Sequence, residues 1–547
     1  MNKKAVLLIV LLCATLVCAV GTRLISAAAD VYIRSDGSVE GTSSIIRDGE
    51  TFTFTGDITG PLIVELDNIV INGAGYTLQT SSDTGVDLSN RNNVTVMNMT
   101  VSGGKYGIYL NDASNNIITG NNVTLSQYAI FLLQSPSNTI TGNTLYSNGN
   151  GITAFDNNVV SENNVTENSG VGIMIFSDSN TVTGNIVANN SEGIAISGSN
   201  NLLRNNRMEG SIYNFEVQSG FVNDVDASNT VDSKPIIYWV NQNNKAVPLD
   251  AGYVALVNCT GITVENLTLT HNGEGVLLAF STDSTITKNT ITITRFGIAF
   301  YSASNNNVLG NNITNNEEGL YFDEATFQIP GYYPSLNNVI HHNDFILNQL
   351  HAVYDVAGTS AAPSAPLAVN IWDNGKEGNY WSGYPGSDSD GDGVGDTPYI
   401  INANNTDHYP LMEPFDIHAE IPEVTPPPSI SILSPQNKTY NTTDIPLTFT
   451  VDKTGTLMTY SLDEQANVTI TGNTTLNGLS TGSHSLTVYA TDTEGNTGAS
   501  RTIHFTVSQE TEPESPAIQP WQIILIVAAV IIVVNVGLLV YFKKSKH

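Results

Sequence analysis

A small residue followed by an aliphatic one returns on a fixed beat through most of this chain. It occurs at Gly85-Val86, Gly107-Ile108, Ala129-Ile130, Gly151-Ile152, Gly172-Ile173 and Gly193-Ile194, with spacings of 22, 22, 22, 21 and 21. Phe215 continues at 22, and after an interruption the beat resumes at Tyr253, Gly275, Gly297 and Gly319, again 22 apart. A second series rides on the same period: Asn98, Asn121, Asn143, Asn163, Asn185 and Asn205, then Asn266, Asn289 and Asn311. Segments such as Asn138–Leu145 alternate apolar and polar residues over a few positions, with Gly or Asn at the corners. Strands this short bury no face alone, so neighbouring repeats must stack to form a core. No long stretch keeps a 3.6-residue period, which excludes a helical solenoid. The pattern predicts an all-β chain built on a right-handed parallel β-helix of about twelve rungs. Rungs at the usual strand spacing would form one rod on the order of 55–60 Å. Asn ladders at its turns would share side-chain hydrogen bonds.

The irregular residues 30–84 read as an N-terminal cap and first rungs, and 85–415 as the β-helix proper. Residues 218–250, with Lys234-Pro235-Ile236-Ile237-Tyr238-Trp239, interrupt the beat and predict a loop or hairpin bulging from one face. A second excursion holds Tyr332 and Tyr333. The aromatic rings of both, Tyr238, Trp239, Tyr332 and Tyr333, are candidates for stacking on sugars.

The termini place the chain in a compartment. Residues 1–29 carry Lys3 and Lys4, an apolar run from Ala5 to Val20 and Ala27-Ala28-Ala29, the order of a secretory signal peptide. Ile523–Phe542 is an apolar run long enough for a bilayer core, flanked by Trp521 and followed by Lys543, Lys544 and Lys546. A single transmembrane helix over 521–542 is expected, with 543–547 cytoplasmic and the rest outside the cell membrane. Between rod and membrane lie a Pro-rich linker (416–428), a segment of alternating short strands that reads as an Ig-like β-sandwich (429–508) and an acidic spacer (509–520). Thirteen N-x-S/T sequons occur, at Asn93, Asn98, Asn122, Asn164, Asn189, Asn258, Asn266, Asn312, Asn404, Asn437, Asn441, Asn467 and Asn473. They are glycosylation acceptors if the cell modifies exported chains. Mature Cys259 has no intrachain partner once Cys13 and Cys18 leave with the signal.

Charge narrows the partners. The chain holds 51 acidic against 20 basic residues, and six of those twenty lie outside the stretch Asp30–Glu514. Such a surface excludes nucleic acid, whose phosphates need a basic face. It also disfavours polyuronate, unless cations bridge acid to acid.

Asp388-Ser389-Asp390-Gly391-Asp392-Gly393-Val394-Gly395-Asp396 sets carboxylates at loop positions 1, 3, 5 and 9 and the Val394 carbonyl between them. This resembles an EF-hand or thrombospondin-type calcium loop, except that Tyr399 stands where the bidentate Glu would be. A structural calcium ion is expected at Asp388, Asp390, Asp392, Val394 and Asp396. Copper(I) prefers clustered thiolates, thioethers or imidazoles. The chain offers one His pair, His341-His342, and neighbours in a strand point to opposite faces. Copper is therefore not expected unless that pair sits on a turn, and polar surface histidines are the plainer reading. No residue cluster is assigned as catalytic. Basic residues within the repeats are few, so an enzyme is not favoured, although carboxylates paired across rungs are invisible in sequence.

The stretches Asp67–Gln79, Pro235–Asn244, Asn379–Ile401 and His408–Phe415 resemble the NosD-type β-helix family, which overlaps repeats called carbohydrate-binding and sugar-hydrolase modules. With the C-terminal module and anchor, the chain resembles archaeal surface proteins. The resemblance implies a right-handed parallel β-helix. It admits three roles: a non-catalytic binder or organiser of extracellular carbohydrate or envelope components, a polysaccharide lyase, hydrolase or epimerase, or a copper accessory protein. The first is the reading the residues favour.

Overall fold

The computed structural model describes residues 30–155, 157–323, 333–355, 368–420, 428–453, 457–463, 465–493, 497–508 and 520–544. The expected signal peptide, Tyr332, most of the Pro-rich linker and nearly all of the acidic spacer lie outside the described residues. Residues up to Val424 form one compact unit, and those from Thr425 on form a second.

The first unit is a parallel β-solenoid of about a dozen turns. Each regular turn carries three short strands, and equivalent strands of successive turns pair in parallel and in register. The aliphatic residue of the repeat points inward. Ile108, Ile130, Ile152, Ile173, Ile194 and Phe215 stand directly over one another, each essentially inaccessible. The preceding small residue has a steric cause. A Cβ on Gly107 would lie 2.6 Å from the Ala129 carbonyl oxygen, and one on Gly151 would lie 2.3 Å from that of Gly172. The backbone passes too close to the next turn for a larger side chain.

All three corners are tied by buried Asn ladders, the third running Asn148, Asn168 and Asn190 between Ser126 and Ser211. In one, Asn121, Asn143, Asn163, Asn185, Asn206 and Asn229 follow each other, each donating from backbone and side chain to the next residue's Oδ1 at 2.8–3.1 Å. Asn98, Asn205 and Asn266 do not belong to this ladder. They lie one position earlier, exposed, with φ of 54–55°. Two adjacent positions thus divide the work: one takes the left-handed turn conformation that Asn tolerates, the other satisfies the buried corner.

The interruption at 218–250 is not a surface bulge. Thr230–Val231 and Lys234–Val240 pair antiparallel, and Lys234–Val240 then pairs in parallel with Tyr253–Val257, so the strand direction reverses within one continuous sheet. Keeping the same crossover hand after such a reversal requires the following turns to close on the opposite face of that sheet. Burial agrees. Ala255, Leu277 and Ala299 pack with the first core, whereas their strand neighbours Val254, Val276 and Ile298 line a second core. The twelve turns therefore form two solenoids that share a sheet, rather than a single rod with one core. The far end of the second solenoid is covered by residues 368–416, where the Trp372 and Trp381 indoles donate to Asn405 and Asp407.

In the second unit, Ile430–Ser434, Ile445–Val451 and Thr474–Leu476 form one sheet, and strands from Thr439–Tyr440 to Ile503–Val507 form another. Leu447, Leu486, Val488 and Phe505 lie in their shared core. The helix Pro520–Lys544 follows. Among the described residues no helix is long and apolar enough to cross a membrane, so the span expected over 521–542 is not met there.

Candidate functional site

The outer face of the solenoid's first sheet carries a row of aromatic rings. A single column of outward positions runs Asp87, Tyr109, Phe131, Thr153, Met174, Ala195 and Glu216, one residue per turn. Beside it, Tyr106 pairs with Tyr128. Tyr106 stacks on Tyr109 with centroids 4.6 Å apart, Tyr128 meets Phe131 at 5.1 Å, and Phe155 stacks on Phe176 at 5.3 Å. Phe131 lies 6.4 Å from Phe155 and links the groups. All six rings are partly or fully exposed. The Lys105 ammonium lies 4.8 Å from the Tyr106 ring, and burial holds the Tyr109 phenol above its ordinary range. The sequence does carry a sign of this row. Aromatics fall one before and two after the small residue in consecutive repeats, Tyr106-Gly107-Ile108-Tyr109 and Tyr128-Ala129-Ile130-Phe131.

The same column ends at a charged cluster where the two solenoids meet. Arg295 ion-pairs with Glu192 at 2.6 Å and with Glu216, and its guanidinium lies 4.9 Å from the Tyr213 ring. Behind it, Glu274 is fully buried, accepting from the Tyr253 hydroxyl at 2.9 Å and from the Val217 amide at 3.4 Å. One oxygen each of Glu216 and Glu274 has no hydrogen-bond partner. Burial pushes both carboxyls up, with the Glu192 charge adding to the rise at Glu216 and the Glu216 charge to that at Glu274. Carboxyls sealed beneath Arg295 reach no outside substrate, so the cluster joins the solenoids rather than presenting an acid and a base. Carboxylates do meet across distant turns here, as sequence alone could not show.

The expected site residues fall in different places. Tyr238 is buried and its hydroxyl donates to the Phe221 carbonyl, which makes it a packing residue and not a free platform. Trp239 is half-buried and lines an open groove of about 540 Å³. Tyr333 is 45% exposed and is anchored by its amide on Ser302 Oγ.

In the acidic loop, one oxygen from each of Asp388, Asp390 and Asp392 lies within 4.8 Å of the others. Asp388 accepts the amides of Gly391, Asp392 and Gly393, and the Gly393 amide above all holds its carboxyl below the usual range. Asp396 stands outside this group and accepts the Ser389 amide, while Val394 bridges to Leu411. Eleven of the sequon asparagines are exposed. Asn122 and Asn312 are instead half-buried in strands, with Oδ1 enclosed, and are poor acceptors for a glycan.

His341 and His342 are not surface residues. His341 ends a strand, His342 takes φ +58°, and this turn brings both buried rings to one side. Their Nδ1 atoms are 2.6 Å apart and His342 Nε2 meets Glu377 at 2.9 Å. Burial and the neighbouring imidazole push His341 down to about 3.

Comparison with known proteins gives a family. The family described as "Periplasmic copper-binding protein (NosD)" matches residues 66–233 and 232–386. No curated protein sequence matches. Among solved structures, the catalytic domain of a GH87 α-1,3-glucanase in complex with tetrasaccharides is 15% identical, over 59% of this chain and 65% of that one, with a TM-score of 0.30. This chain thus spans less than two thirds of that domain. The Azotobacter vinelandii mannuronan C-5 epimerase AlgE4 A-module is 16% identical over 59% of this chain and 83% of that one, TM-score 0.24. A tailspike protein double mutant of E. coli bacteriophage HK620 is 10% identical over 84% and 81%, TM-score 0.28. Scores this low say nothing of activity.

Copper, named in the family description, finds a poor donor set. The two Nδ1 atoms of the His pair are spent on each other and His342 Nε2 on Glu377, which leaves one buried nitrogen. Cys259 is buried among backbone carbonyls, and the three-carboxylate group offers only oxygen, the wrong softness for copper(I). The described residues do not fit a copper centre. The family match nevertheless covers more than half of the sequence, in two copies that meet at the hairpin between the solenoids: the chain belongs to the NosD family.

Proposed function

We propose that this protein binds extracellular polysaccharide, without cleaving it, along the outer face of its first sheet. The observation that carries this reading is the row Tyr106, Tyr109, Tyr128, Phe131, Phe155 and Phe176 on that face. Turns stack at ~4.8 Å, comparable to the length of one sugar ring, so a polymer lying along the axis meets aromatic faces at matching intervals. Ring faces and phenol hydroxyls suit the mixed apolar and hydroxylated faces of pyranoses. The acidic chain favours neutral over anionic polymer.

The same reading places the protein at the cell surface. From Ile524 to Leu538 the described side chains of the helix are exposed on every side and apolar except Asn535, whose amide donates to the Ile531 carbonyl. The three converging carboxylates of the 388–396 loop would hold a hard divalent cation such as calcium. The test is binding of the full-length protein to a panel of neutral, acidic and amino polysaccharides, followed by assay for new reducing or unsaturated ends. Retention of neutral polymer without new ends is the expected result. Release of ends, or no retention of any polymer, overturns it.

A further inference from the structure

Beyond the aromatic row, the junction of the two solenoids holds an open groove of about 540 Å³, within the range of small-ligand sites. Its walls come from the last turns of the first solenoid, at Asn200, Val222, Asn223 and Asp224, and from the reversing strand, at Tyr238, Trp239 and Val240, with Gln242 beyond. We propose that this groove is a second saccharide site, one that takes a neutral sugar unit at the end of a chain or a short oligosaccharide.

The charges decide the class. Asp224 is paired with Arg204 at 2.7 Å, and Lys245 donates to Gln242 Oε1 at 2.5 Å while lying 5.5 Å from the Trp239 ring. Lys245 is not among the lining residues, whose one charged side chain, Asp224, is held by Arg204, so no cation in the lining is placed to fix a carboxylate or phosphate. The polar groups facing the space are amides. Asn223 is fully engaged, its oxygen by Asn201 and its nitrogen by Gly198 and Gly220. Asn200 is exposed, in a left-handed turn, and its side-chain amide offers both a donor and an acceptor to an incoming hydroxyl. Trp239 supplies an aromatic surface, and the apolar Val222, 48% exposed, lies on the opposite wall. An indole with amides and no cation in the lining is a setting for a neutral hydroxylated ring. The reversing strand supplies one wall of the groove through Tyr238, Trp239 and Val240, which sets it apart from the row on the outer face.

This inference rests on the saccharide-binding reading of the outer face, and one experiment separates the two. Trp239 is a local reporter, because Trp372 and Trp381 are buried in the far cap and Trp521 lies in the second unit. Full-length protein is titrated with neutral oligosaccharides from the polymer that it retains best, reading tryptophan emission. A saturable change is expected, lost in Trp239→Phe and weakened about tenfold in Asn200→Ala, with both variants still retaining polymer through the aromatic row. Trp239→Phe keeps a ring in place, and Asn200→Ala is a surface change, so folding is preserved. If polymer is retained but wild-type emission does not move, or moves equally in Trp239→Phe, the groove proposal falls alone. If Tyr109→Ala/Phe131→Ala abolishes retention while emission still responds, the groove stands. If no polymer binds and no oligosaccharide moves the emission, both readings fall.

Discussion

Arg295 holds the carboxylate of Glu192 at 2.6 Å although 103 residues separate them, and so ties the second solenoid to the closing turns of the first. Glu216 completes the clasp, and the buried carboxyl of Glu274 lies behind it. Removing Arg295 would leave Glu216 buried without its counter-charge, which typically costs 3–5 kcal/mol, about. Arg295→Met is expected to lower the melting temperature of the solenoid unit and leave the second unit unchanged. Differential scanning calorimetry reads both.

Buried carboxyls give the fold a pH dependence of definite sign. Burial raises Glu274 and Glu216 above the usual range, and raises Glu318, Asp344 and Asp407 each to about 7. The native state therefore holds protons that the unfolded chain releases, and stability falls as pH rises from the unfolded values to the folded ones. His341, pushed down to about 3, works the other way, since it destabilises the native state as pH falls below about 6.5. Above that value the carboxyl effect is the one that remains among these groups of the solenoid unit, while His484 of the second unit, raised by its bonds to Ser480 and Asp463 against burial, loses its own contribution in the same direction. The melting temperature should drop between pH 6.5 and 8, and Glu274→Gln, neutral at every pH, should reduce the drop. A wild-type melting temperature that rises over this interval refutes the assignment.

Each ladder Asn satisfies several buried groups, so its loss leaves more than one unpaired. In Asn163→Leu, the amide and side chain of Asn143 lose their acceptor and the Ile140 carbonyl loses its donor. A penalty of about 2–4 kcal/mol follows from the usual cost of unsatisfied buried groups. The exposed Asn205 should tolerate Gly at little cost, because its role is the turn conformation alone. Urea unfolding of the two variants compares these roles directly.

On the outer face, Tyr109→Ala with Phe131→Ala should weaken retention of neutral polymer about tenfold or more, at roughly 0.5–1.5 kcal/mol per ring. Affinity electrophoresis measures this. Glu317, 46% exposed near the charged cluster, is a control whose change to Gln should leave retention unaltered.

Calcium should raise the melting temperature of the first unit by stabilising its end cover. Gly395 donates to Pro410 and Met412 to Gly393, so the acidic loop is fastened to the segment closing the second solenoid. Without a cation the three converging carboxylates repel. Asp388→Asn with Asp392→Asn should remove the difference between chelator and millimolar calcium. Identical melting of wild type in both conditions would show the loop to be a solvated turn.

The repeat and its inward column were legible because they obey a single rule per turn. The small residue, the aliphatic one and the corner amide each answer a local need, and Gly107, Ile108 and Asn121 stand where the beat predicts. The one-residue error at Asn98 and Asn205 arose because Asn serves two adjacent roles, and residue type alone does not separate them. The exchange of cores at Lys234–Val240 was hidden for a different reason. Its strands are apolar on both faces, which reads as interruption when periodicity is the only guide. The clasp at Arg295 joins residues far apart in sequence, and no spacing announces it.

A stack of identical layers has no internal signal for where to stop, and its last layer exposes the next site of growth. The hairpin at Thr230–Val231 and Lys234–Val240 solves this without a separate plug. By turning one wall over, it makes the outside of the later layers the lid of the earlier ones, as Phe215 against Tyr253 and Phe221 against Tyr301 show. The protein thereby ends one stack with the beginning of another, and its interior terminus is closed to a second chain by its own continuation.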